Sequence, residues 1–343
     1  MTPRHLCHFI PPHVVEHMAK KTAADGLEPG TVQRTAVASE KLRQQRRYAT
    51  NASLATLTPA LPGKSDRKVY DDLNQLNVDV SLIRCESEPL VDGANANAAY
   101  EALGATRAFY QEILGRDSID NVGSTLVANV NFGTKYDNAF WDGERMVFGN
   151  GDNVTFKDFT GDVDVPGHEL THGVTQYTAG LQYTDQPGAL NEAFSDIFGS
   201  CVDQYAHQRD AGEHNWLIGE DVMADGLYGE AIRSMSHPGT AYDNAVMGHD
   251  PQPGSMAGYV AGGDPHVNSG IINRAFYLTA TDLGTFPAAK VWYATLQNLW
   301  PTAQFADAAH VCGEMARILA RDGVVARQAP QTVRAAFHEV GVA

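Results

Sequence analysis

The most constraining feature of this chain is the pentad His168-Glu169-Leu170-Thr171-His172, which is followed twenty residues later by Glu192. Two histidines four positions apart lie on one face of a helix, one turn from each other, so their imidazoles can converge on a single ion. Zinc accepts imidazole nitrogen and carboxylate oxygen, and two His plus one Glu leave a fourth position open for water. The spacing therefore predicts a zinc helix that carries His168 and His172, with Glu192 as the third ligand.

Glu169 lies beside the first ligand, where it is predicted to act as general base on the zinc-bound water, the chemistry of zinc peptidases. Asp164 and Pro166 precede the pentad as an N-cap acid and a first-turn proline would. Gly180 offers a C-terminal stop for the same short helix. The alternative is an amphipathic helix with two surface histidines, because a chain with 13 histidines can produce this spacing by chance.

The third ligand lies in a segment whose apolar residues, from Leu190 to Ile197, recur with helical spacing. Glu192 and Asp196 share another face of that helix. Asp196 is predicted to accept the second ring N–H of a zinc-ligating histidine, the usual partner of such a ring. The alternative is that both acids are solvated helix charges, which is less common in an apolar stretch.

These two segments resemble the metal-binding motifs of the thermolysin family of metallopeptidases. Four more blocks resemble family motifs in the same order: Asn138–Trp141, Gln176–Tyr183, Ile232–Ser236 and His266–Asn273. The resemblance covers roughly residues 65 to 343. It implies an α+β fold with a β-rich N-terminal lobe (66–165), a mainly helical C-terminal lobe (166–343) and the zinc helix between them, so the cleft is expected at the lobe interface.

The resemblance also implies roles for residues that bind substrate. Tyr183 and His266 are expected to donate hydrogen bonds to the negative charge that develops on the scissile carbonyl. Arg233 is expected to hold a substrate carbonyl, while Asn138 and the backbone of Ala139 hold the extended peptide as an added strand. Without the resemblance, the alternative interpretations are that Tyr183 is a packed aromatic, Arg233 a surface cation and His266 a helix-capping residue.

Two further expectations follow from the resemblance. The pocket beyond the cleaved bond should be apolar and should favour cleavage on the amino side of bulky aliphatic or aromatic residues. Its expected lining is Phe156, Phe159, Val165 and Ile232. Structural calcium is expected because oxygen ligands suit that ion, and the matching positions are Asp164, Asp203 and Glu220. Asn215 and Leu217 occupy two positions where the family is expected to have further calcium-binding acids. Leucine cannot bind calcium through its side chain, so a single calcium ion is favoured over two.

One position departs from the family pattern. The family usually places an aspartate five residues before its catalytic histidine to orient the ring, whereas this chain has Ala261 there. Asp264, held in place by Pro265, is predicted to substitute. A short contact between Asp264 and a ring nitrogen of His266 would support this substitution.

The N-terminal region has a different character from the rest of the chain. Ile10-Pro11-Pro12-His13 resembles the short propeptides of protealysin-like members of the family, and residues 1–50 are predicted to be such a propeptide. They carry eight Lys or Arg and four acids, whereas the remainder has a net charge of −20. A basic segment before an acidic body suits a prosegment that docks on its own enzyme. The alternative is an ordinary helical extension.

Residues 51–65 are small, polar and proline-containing, as in an exposed linker, so maturation cleavage is predicted there. The four cysteines are far apart in sequence and indicate no disulfide framework. Cys7 carries one hypothesis: its thiolate could occupy the open zinc position in the precursor. The alternative is a small packed residue.

Composition and charge argue against several other classes of protein. A net charge of −16 disfavours nucleic acid as a partner. No apolar run approaches the ~20 residues that span a bilayer, so no membrane partner is expected. Pro, Arg and His residues interrupt any signal-peptide core near the start, which predicts a cytoplasmic location or secretion by a non-classical route. A monomer is expected.

The sequence thus predicts a zinc-dependent neutral metalloendopeptidase that is made as a self-processing precursor. Its expected partners are protein or peptide substrates and its own propeptide. The alternative from another class is a non-catalytic, zinc-containing binding protein on the same fold. Glu169, Tyr183 and Arg233 are all present, and this favours the enzyme.

Overall fold

The computed structural model describes residues 7–24, 31–48 and 66–342. The N-terminal segment, residues 7–48, contains strand β1 (Cys7–His8) and helices α1 (Pro12–Ala24) and α2 (Thr31–Tyr48). The break between these helices that Gly26, Pro29 and Gly30 predict lies outside the described residues, as does the predicted linker. The apolar stripe of α1 is buried, and Phe9 and Ile10 belong with it to the main core of the protein.

A six-stranded sheet forms the core of the N-terminal lobe, in the order β1-β5-β6-β4-β2-β3. The other five strands are β2 (Arg67–Asp71), β3 (Ser81–Cys85), β4 (Leu126–Val130), β5 (Ala139–Trp141) and β6 (Met146–Phe148). Strands β4 and β6 lie within the two strands that the sequence predicts at residues 124–132 and 145–149. Strand β1 is an edge strand and pairs antiparallel with β5, with Cys7 opposite Trp141 and His8 opposite Phe140. The N-terminal segment therefore extends the sheet of the lobe that follows it.

Helices dominate the rest of the chain. They are α3 (Ala94–Leu114), α4 (Asp164–Gln176), α5 (Asp185–Ala206), α6 (Pro265–Leu283), α7 (Thr285–Asn298), α8 (Phe305–Arg321) and α9 (Ala329–Glu339). Two-residue strand pairs lie between α5 and α6: β7 (Leu217–Ile218) with β8 (Arg233–Ser234), and β9 (Asp243–Asn244) with β10 (Gly248–His249). The sequence predicts helices at 190–207, 266–283, 303–320 and 328–339, and α6, α8 and α9 agree with the last three to within two residues. Helix α5 begins five residues before the predicted start at residue 190, and no separate helix was predicted where α7 lies.

The start of α4 differs from the prediction. The N-cap residue is Val163, and Asp164 is already the first helical residue. The Asp164 carboxylate instead accepts the backbone N–H of Gly219, 2.8 Å away, so its partner is a remote loop rather than its own helix. The helix ends at Gln176, and Gly180 then turns the chain with a φ of +61°, its N–H donating to Thr175 O at 2.8 Å. Glycine adopts this left-handed conformation without steric cost.

Helices α4 and α5 pack unusually close together. A Cβ atom added to Gly199 would lie 2.7 Å from Asp164 O and 3.1 Å from His168 N, and one added to Gly167 would lie 3.1 Å from Gly199 Cα. Only glycine leaves room for this approach. The contact fixes the distance between the pentad on α4 and Glu192 on α5, and both helices are buried along most of their length.

The architecture confirms the predicted α+β fold, with a sheet-rich N-terminal lobe and a helical C-terminal lobe. Among the described residues, no helix is both long and apolar enough to cross a membrane.

Candidate active site

The three predicted zinc ligands converge at the buried contact between α4 and α5. Nε2 of His168 lies 3.0 Å from Nε2 of His172, and these two nitrogens lie 3.6 and 3.5 Å from carboxylate oxygens of Glu192. Ligand atoms about 2.1 Å from a tetrahedral ion are separated by roughly 3.4 Å, close to these distances. All three side chains are buried.

The other ring nitrogens settle which atoms face the ion. Nδ1 of His168 lies 2.8 Å from Asp196 Oδ1, and Nδ1 of His172 lies 2.9 Å from Asn191 Oδ1 and 3.1 Å from Ser195 Oγ. A carboxylate and an amide oxygen only accept hydrogen bonds, so both Nδ1 atoms carry protons. The Nε2 lone pairs then face each other at 3.0 Å beside a carboxylate. This arrangement is repulsive without a cation and fits a zinc ion.

Asp196 holds a second group in place besides His168. Arg233 donates from Nε and Nη2 to its two oxygens, at 2.8 Å each, and Asn273 Nδ2 donates to Oδ2 at 2.8 Å. Burial alone would raise the pKa of Asp196, but Arg233 and His168 outweigh it and hold the pKa below its ordinary value. Asp196 therefore stays ionised and links the metal ligands to a cleft arginine. Asn273, Asn191 and Ser195 had no predicted role, although all three belong to the quoted motifs.

Glu169 is fully buried, and no side chain that the structure describes donates a hydrogen bond to its carboxylate, which the backbone of Trp141 approaches. Burial and, secondarily, the nearby Glu192 raise its pKa well above the ordinary value. A buried carboxylate without a charged or side-chain partner costs stability, and this favours a functional explanation for Glu169.

Tyr183 and His266 both approach the carboxylate of Glu192, and Nε2 of His266 lies 3.3 Å from its Oε2. The Tyr183 hydroxyl donates to Glu192 Oε1 and lies 3.4 Å from Nε2 of His266. Nδ1 of His266 lies 2.6 Å from Asp264 Oδ1, the contact expected if Asp264 substitutes for the family aspartate. Burial lowers the pKa of His266, but Glu192 and Asp264 reverse the effect and leave it raised.

The N-terminal segment fills the cleft at the predicted substrate-binding residues. The Phe9 N–H donates to Ala139 O at 3.0 Å, and Arg233 Nη1 donates to Phe9 O at 2.9 Å. The Ile10 N–H donates to Asn138 Oδ1 at 2.9 Å, and Asn138 Nδ2 lies 3.5 Å from Ile10 O. Asn138, Ala139 and Arg233 thus each bind peptide backbone, and the peptide that they bind is the chain's own.

The side chain of Phe9 enters an apolar pocket next to the metal ligands. Its ring centroid lies 5.2 Å from that of His168 and 6.5 Å from that of Phe159, both edge-on. A Cβ on Gly219 would meet both Phe9 and Ile232, at 3.0 and 2.9 Å, so these two side chains border the same gap. The predicted lining residues Phe156, Phe159, Val165 and Ile232 are all buried in one core with Phe9.

Cys7 also reaches the metal site. Its Sγ and ligand atoms of His172 and Glu192 all lie within 4.8 Å of one another, in a buried group. This is the contact required by the hypothesis that the Cys7 thiolate occupies the open zinc position. It brings Cys7 to His172, which lies 165 positions later in the chain.

The three residues predicted to bind calcium do not form one ligand group within the part of the chain that the structure describes. The Asp203 carboxylate lies 2.9 Å from Nδ1 of His207 and 3.6 Å from Nδ1 of His214. Glu220 accepts from Asn215 Nδ2, and Asp164 from the backbone of Gly219. Oδ1 of Asp164, however, has no hydrogen-bond donor among the described residues, and burial together with the neighbouring Asp162 and Asp203 raises the pKa of Asp164 well above its ordinary value. Calcium binding at these acids therefore stays a prediction.

Comparison with known proteins agrees with this geometry. The model for "Thermolysin metallopeptidase, catalytic domain" matches residues 51–176, and that for "Thermolysin metallopeptidase, alpha-helical domain" matches residues 179–342. The chain is 41% identical over 304 residues to an "Extracellular metalloprotease" of Pectobacterium carotovorum subsp. carotovorum, covering 86% of each chain.

More distant comparisons point the same way. The chain is 39% identical over 262 residues to "Thermolysin" of Alicyclobacillus acidocaldarius subsp. acidocaldarius, covering 73% of this chain and 46% of that much longer one. A solved structure titled "Precursor of Protealysin, Metalloproteinase from Serratia proteamaculans" superposes with a TM-score of 0.84 at 37% identity, over 98% of this chain and all of that one. With both domains matched and the metal-ligand geometry in place, this chain belongs to the thermolysin family of metallopeptidases and is a metalloendopeptidase.

Proposed function

We propose that this protein is the precursor of a zinc-dependent endopeptidase, and that residues 7–48 belong to a propeptide that holds it inactive. The convergence of His168, His172 and Glu192 beside the buried carboxylate of Glu169 carries the enzymatic part of the proposal. The antiparallel pairing of β1 with β5 at the cleft supports the inhibitory part.

The reaction follows from the positions of the chain's own groups. When bound to the two histidines and Glu192, zinc supplies a polarised water and a Lewis acid. Glu169 takes a proton from the attacking water and delivers it to the leaving nitrogen. His266 and Tyr183 donate to the carbonyl oxygen as negative charge develops on it. Arg233 and Asn138 hold the peptide in place, because their donors already bind backbone carbonyls.

The pocket that holds Phe9 supports a preference for bulky apolar residues after the cleaved bond. Phe9 is fully buried there, and each buried aromatic side chain gains about 2 kcal/mol or more from leaving water. We expect peptides with Phe, Leu or Ile at this position to be cleaved on the amino side of that residue, and peptides with Asp or Gly to be poor substrates.

Latency is the role proposed for Cys7. A thiolate is a good zinc ligand and would exclude water from the fourth position. Cobalt-loaded precursor carrying Glu169→Gln should show a thiolate-to-cobalt charge-transfer band, and the same protein with Cys7→Ser should lack it. Identical spectra for the two proteins would refute cysteine ligation. The exposed Glu16→Gln variant is the matched control and should keep the band.

The proposed function is tested by comparing wild type with Glu169→Gln. Zinc content, hydrolysis of an external peptide and the mass of the mature chain are measured for each. We expect equal zinc content, with hydrolysis and maturation lost in the variant and a wild-type mature N-terminus within residues 51–65. Full zinc occupancy without any cleavage by wild type would instead favour the non-catalytic binding protein.

A further inference from the structure

We infer that the precursor is a stalled substrate of its own active site, with the His8–Phe9 peptide bond in the scissile position. This inference rests on the proposed function, since it assigns one particular peptide to the proposed catalytic groups. Three sets of contacts carry it: those on the two polar atoms of this peptide bond, those of the residues that follow it and those of the residue before it.

The His8–Phe9 peptide unit is held at both of its polar atoms. The His8 carbonyl oxygen lies 2.7 Å from Nε2 of His266, the atom proposed to donate to the carbonyl under attack. The N–H of the same peptide unit donates to Ala139 O at 3.0 Å. Because Nδ1 of His266 faces Asp264, the ring presents its other nitrogen to this carbonyl.

The residues after this bond lie as the product-side half of a substrate would. The Phe9 ring enters the pocket proposed to select the residue after the cut, and the Phe9 carbonyl accepts from Arg233. Ile10 then makes a two-way backbone contact with the side chain of Asn138. Strand β1 pairs antiparallel with β5, so this part of the chain lies at the sheet edge as the added strand expected of a substrate.

The residue before His8 explains why the bond survives in the precursor. Side chains alternate along a strand, so Cys7 and Phe9 point to the same side, toward the metal ligands and the pocket. Sγ of Cys7 lies within 4.8 Å of ligand atoms of His172 and Glu192. The thiol thus stands where the attacking water is needed. The inhibitory side chain and the bond that it protects are one residue apart.

The chemistry of the cut is ordinary hydrolysis. Water adds to the carbonyl carbon of His8 and gives up a proton to Glu169, the bond from that carbon to the Phe9 nitrogen breaks, and Glu169 returns the proton to that nitrogen. The products are a peptide that ends at His8 and a chain that begins at Phe9. This single cut separates Cys7 from Phe9, so it removes the proposed thiol ligand from the segment that remains bound in the cleft.

The test uses the full-length precursor with Cys7→Ser, in parallel with the same variant carrying Glu169→Gln. Mass spectrometry follows the chain that begins at Phe9, and an external peptide substrate is assayed in the same samples. We expect the new N-terminus in the first protein, at a rate independent of protein concentration, and at least a 100-fold slower rate in the second. Adding Phe9→Leu should preserve the cut, whereas Phe9→Asp should slow it at least tenfold.

The outcomes separate this inference from the proposed function. If the Cys7→Ser protein cleaves the external peptide and its linker but keeps the His8–Phe9 bond, the inference is wrong and the proposed function stands. If it cleaves nothing, the proposed function itself fails.

A binding measurement without turnover completes the test. A labelled peptide of residues 7–12 with Ser at position 7 should bind mature Glu169→Gln enzyme, with and without zinc. The same peptide with Phe9→Asp should bind at least tenfold more weakly. Equal binding of the two peptides would overturn the assigned register.

Discussion

The carboxylate of Asp264 makes two contacts with His266: Oδ1 lies 2.6 Å from ring Nδ1 and accepts the backbone N–H at 3.0 Å. The second contact caps helix α6, which begins at Pro265. One aspartate therefore both starts the helix and orients the ring at its first turn. The resemblance places this acid at the position that Ala261 occupies here. Asp264, two residues before His266, still reaches ring Nδ1 because the N-cap lies beside the first turn of the helix.

These two contacts can be separated by mutation. Asp264→Asn keeps a good N-cap but loses the charge beside the ring, whereas Asp264→Ala loses both. We expect kcat to fall roughly tenfold in the first variant and further in the second, with little change in KM, because ring orientation matters most in the transition state. Only the alanine variant should lose stability, by about 1 kcal/mol. Steady-state kinetics and thermal unfolding measure these effects, and a change confined to KM would contradict the orienting role.

Asp196 should control zinc affinity through His168. Asp196→Asn leaves the shape of the side chain but removes the charge that fixes the His168 tautomer and pairs with Arg233. Partners of this kind typically contribute 10- to 100-fold in metal affinity. We expect the zinc dissociation constant, measured by competition with a chelator, to rise by about that factor. Asp243→Asn, at an exposed acid, is the control, and equal affinities in the two variants would argue against the assignment.

Gly199 should be intolerant of any side chain. A Cβ there would lie 2.7 Å from Asp164 O, so Gly199→Ala must push α5 away from α4. We expect a loss of about 1 to 3 kcal/mol in the free energy of unfolding. Zinc affinity should fall as well, because Glu192 moves with α5. Gly212→Ala, at a glycine with open space around it, is the matched control and should leave zinc affinity unchanged.

Asp137 should make stability fall as the pH rises. Its side chain is buried below residues of α2, its N–H donates to Thr35 Oγ1, and its Oδ2 has no partner. Burial, together with the adjacent Asp152, raises the pKa of Asp137 to about 8. An acid with a raised folded-state pKa stabilises the protein most below its unfolded pKa, and this contribution is lost as the pH rises to about 8.

Asp137→Asn removes that ionisation. In the Glu169→Gln precursor, which does not process itself, we expect the variant to gain stability relative to its parent as the pH is raised from 5 to 8. The gain is at most about 1.4 kcal/mol per pH unit. Thermal unfolding at pH 5, 7 and 9 measures it, with the exposed Asp243→Asn as control. A difference that does not change with pH would show that Asp137 ionises freely in the folded protein.

The local geometry of the site could be predicted from the sequence. The spacing of His168 and His172 fixes their separation once a helix forms, because 3.6 residues per turn leave little freedom. The same holds for Glu192 and Asp196 on α5. The helix bounds were predicted to within two residues for α6, α8 and α9, and apolar periodicity is strong in α8 and α9 but weak in α6. Helix α7 was not singled out, although it follows Gly284 directly.

Contacts between distant segments were decided by tertiary structure. No spacing rule brings Asn273 to Asp196 or Phe9 into the pocket beside His168, since these depend on how helices and strands pack. For the same reason, spacing in the sequence could not show how Asp164, Asp203 and Glu220 lie relative to one another, and calcium binding by these acids stays a prediction.

The sequence by itself identified the family and predicted the metal ligands and the base, because each of these rests on residues fixed within one helix or one short motif. Only the tertiary structure decided that β1 pairs with β5, that Cys7 reaches the metal ligands and that His8–Phe9 meets His266. These contacts join parts of the chain more than 100 residues apart, and their geometry depends on the packing of the whole core around them.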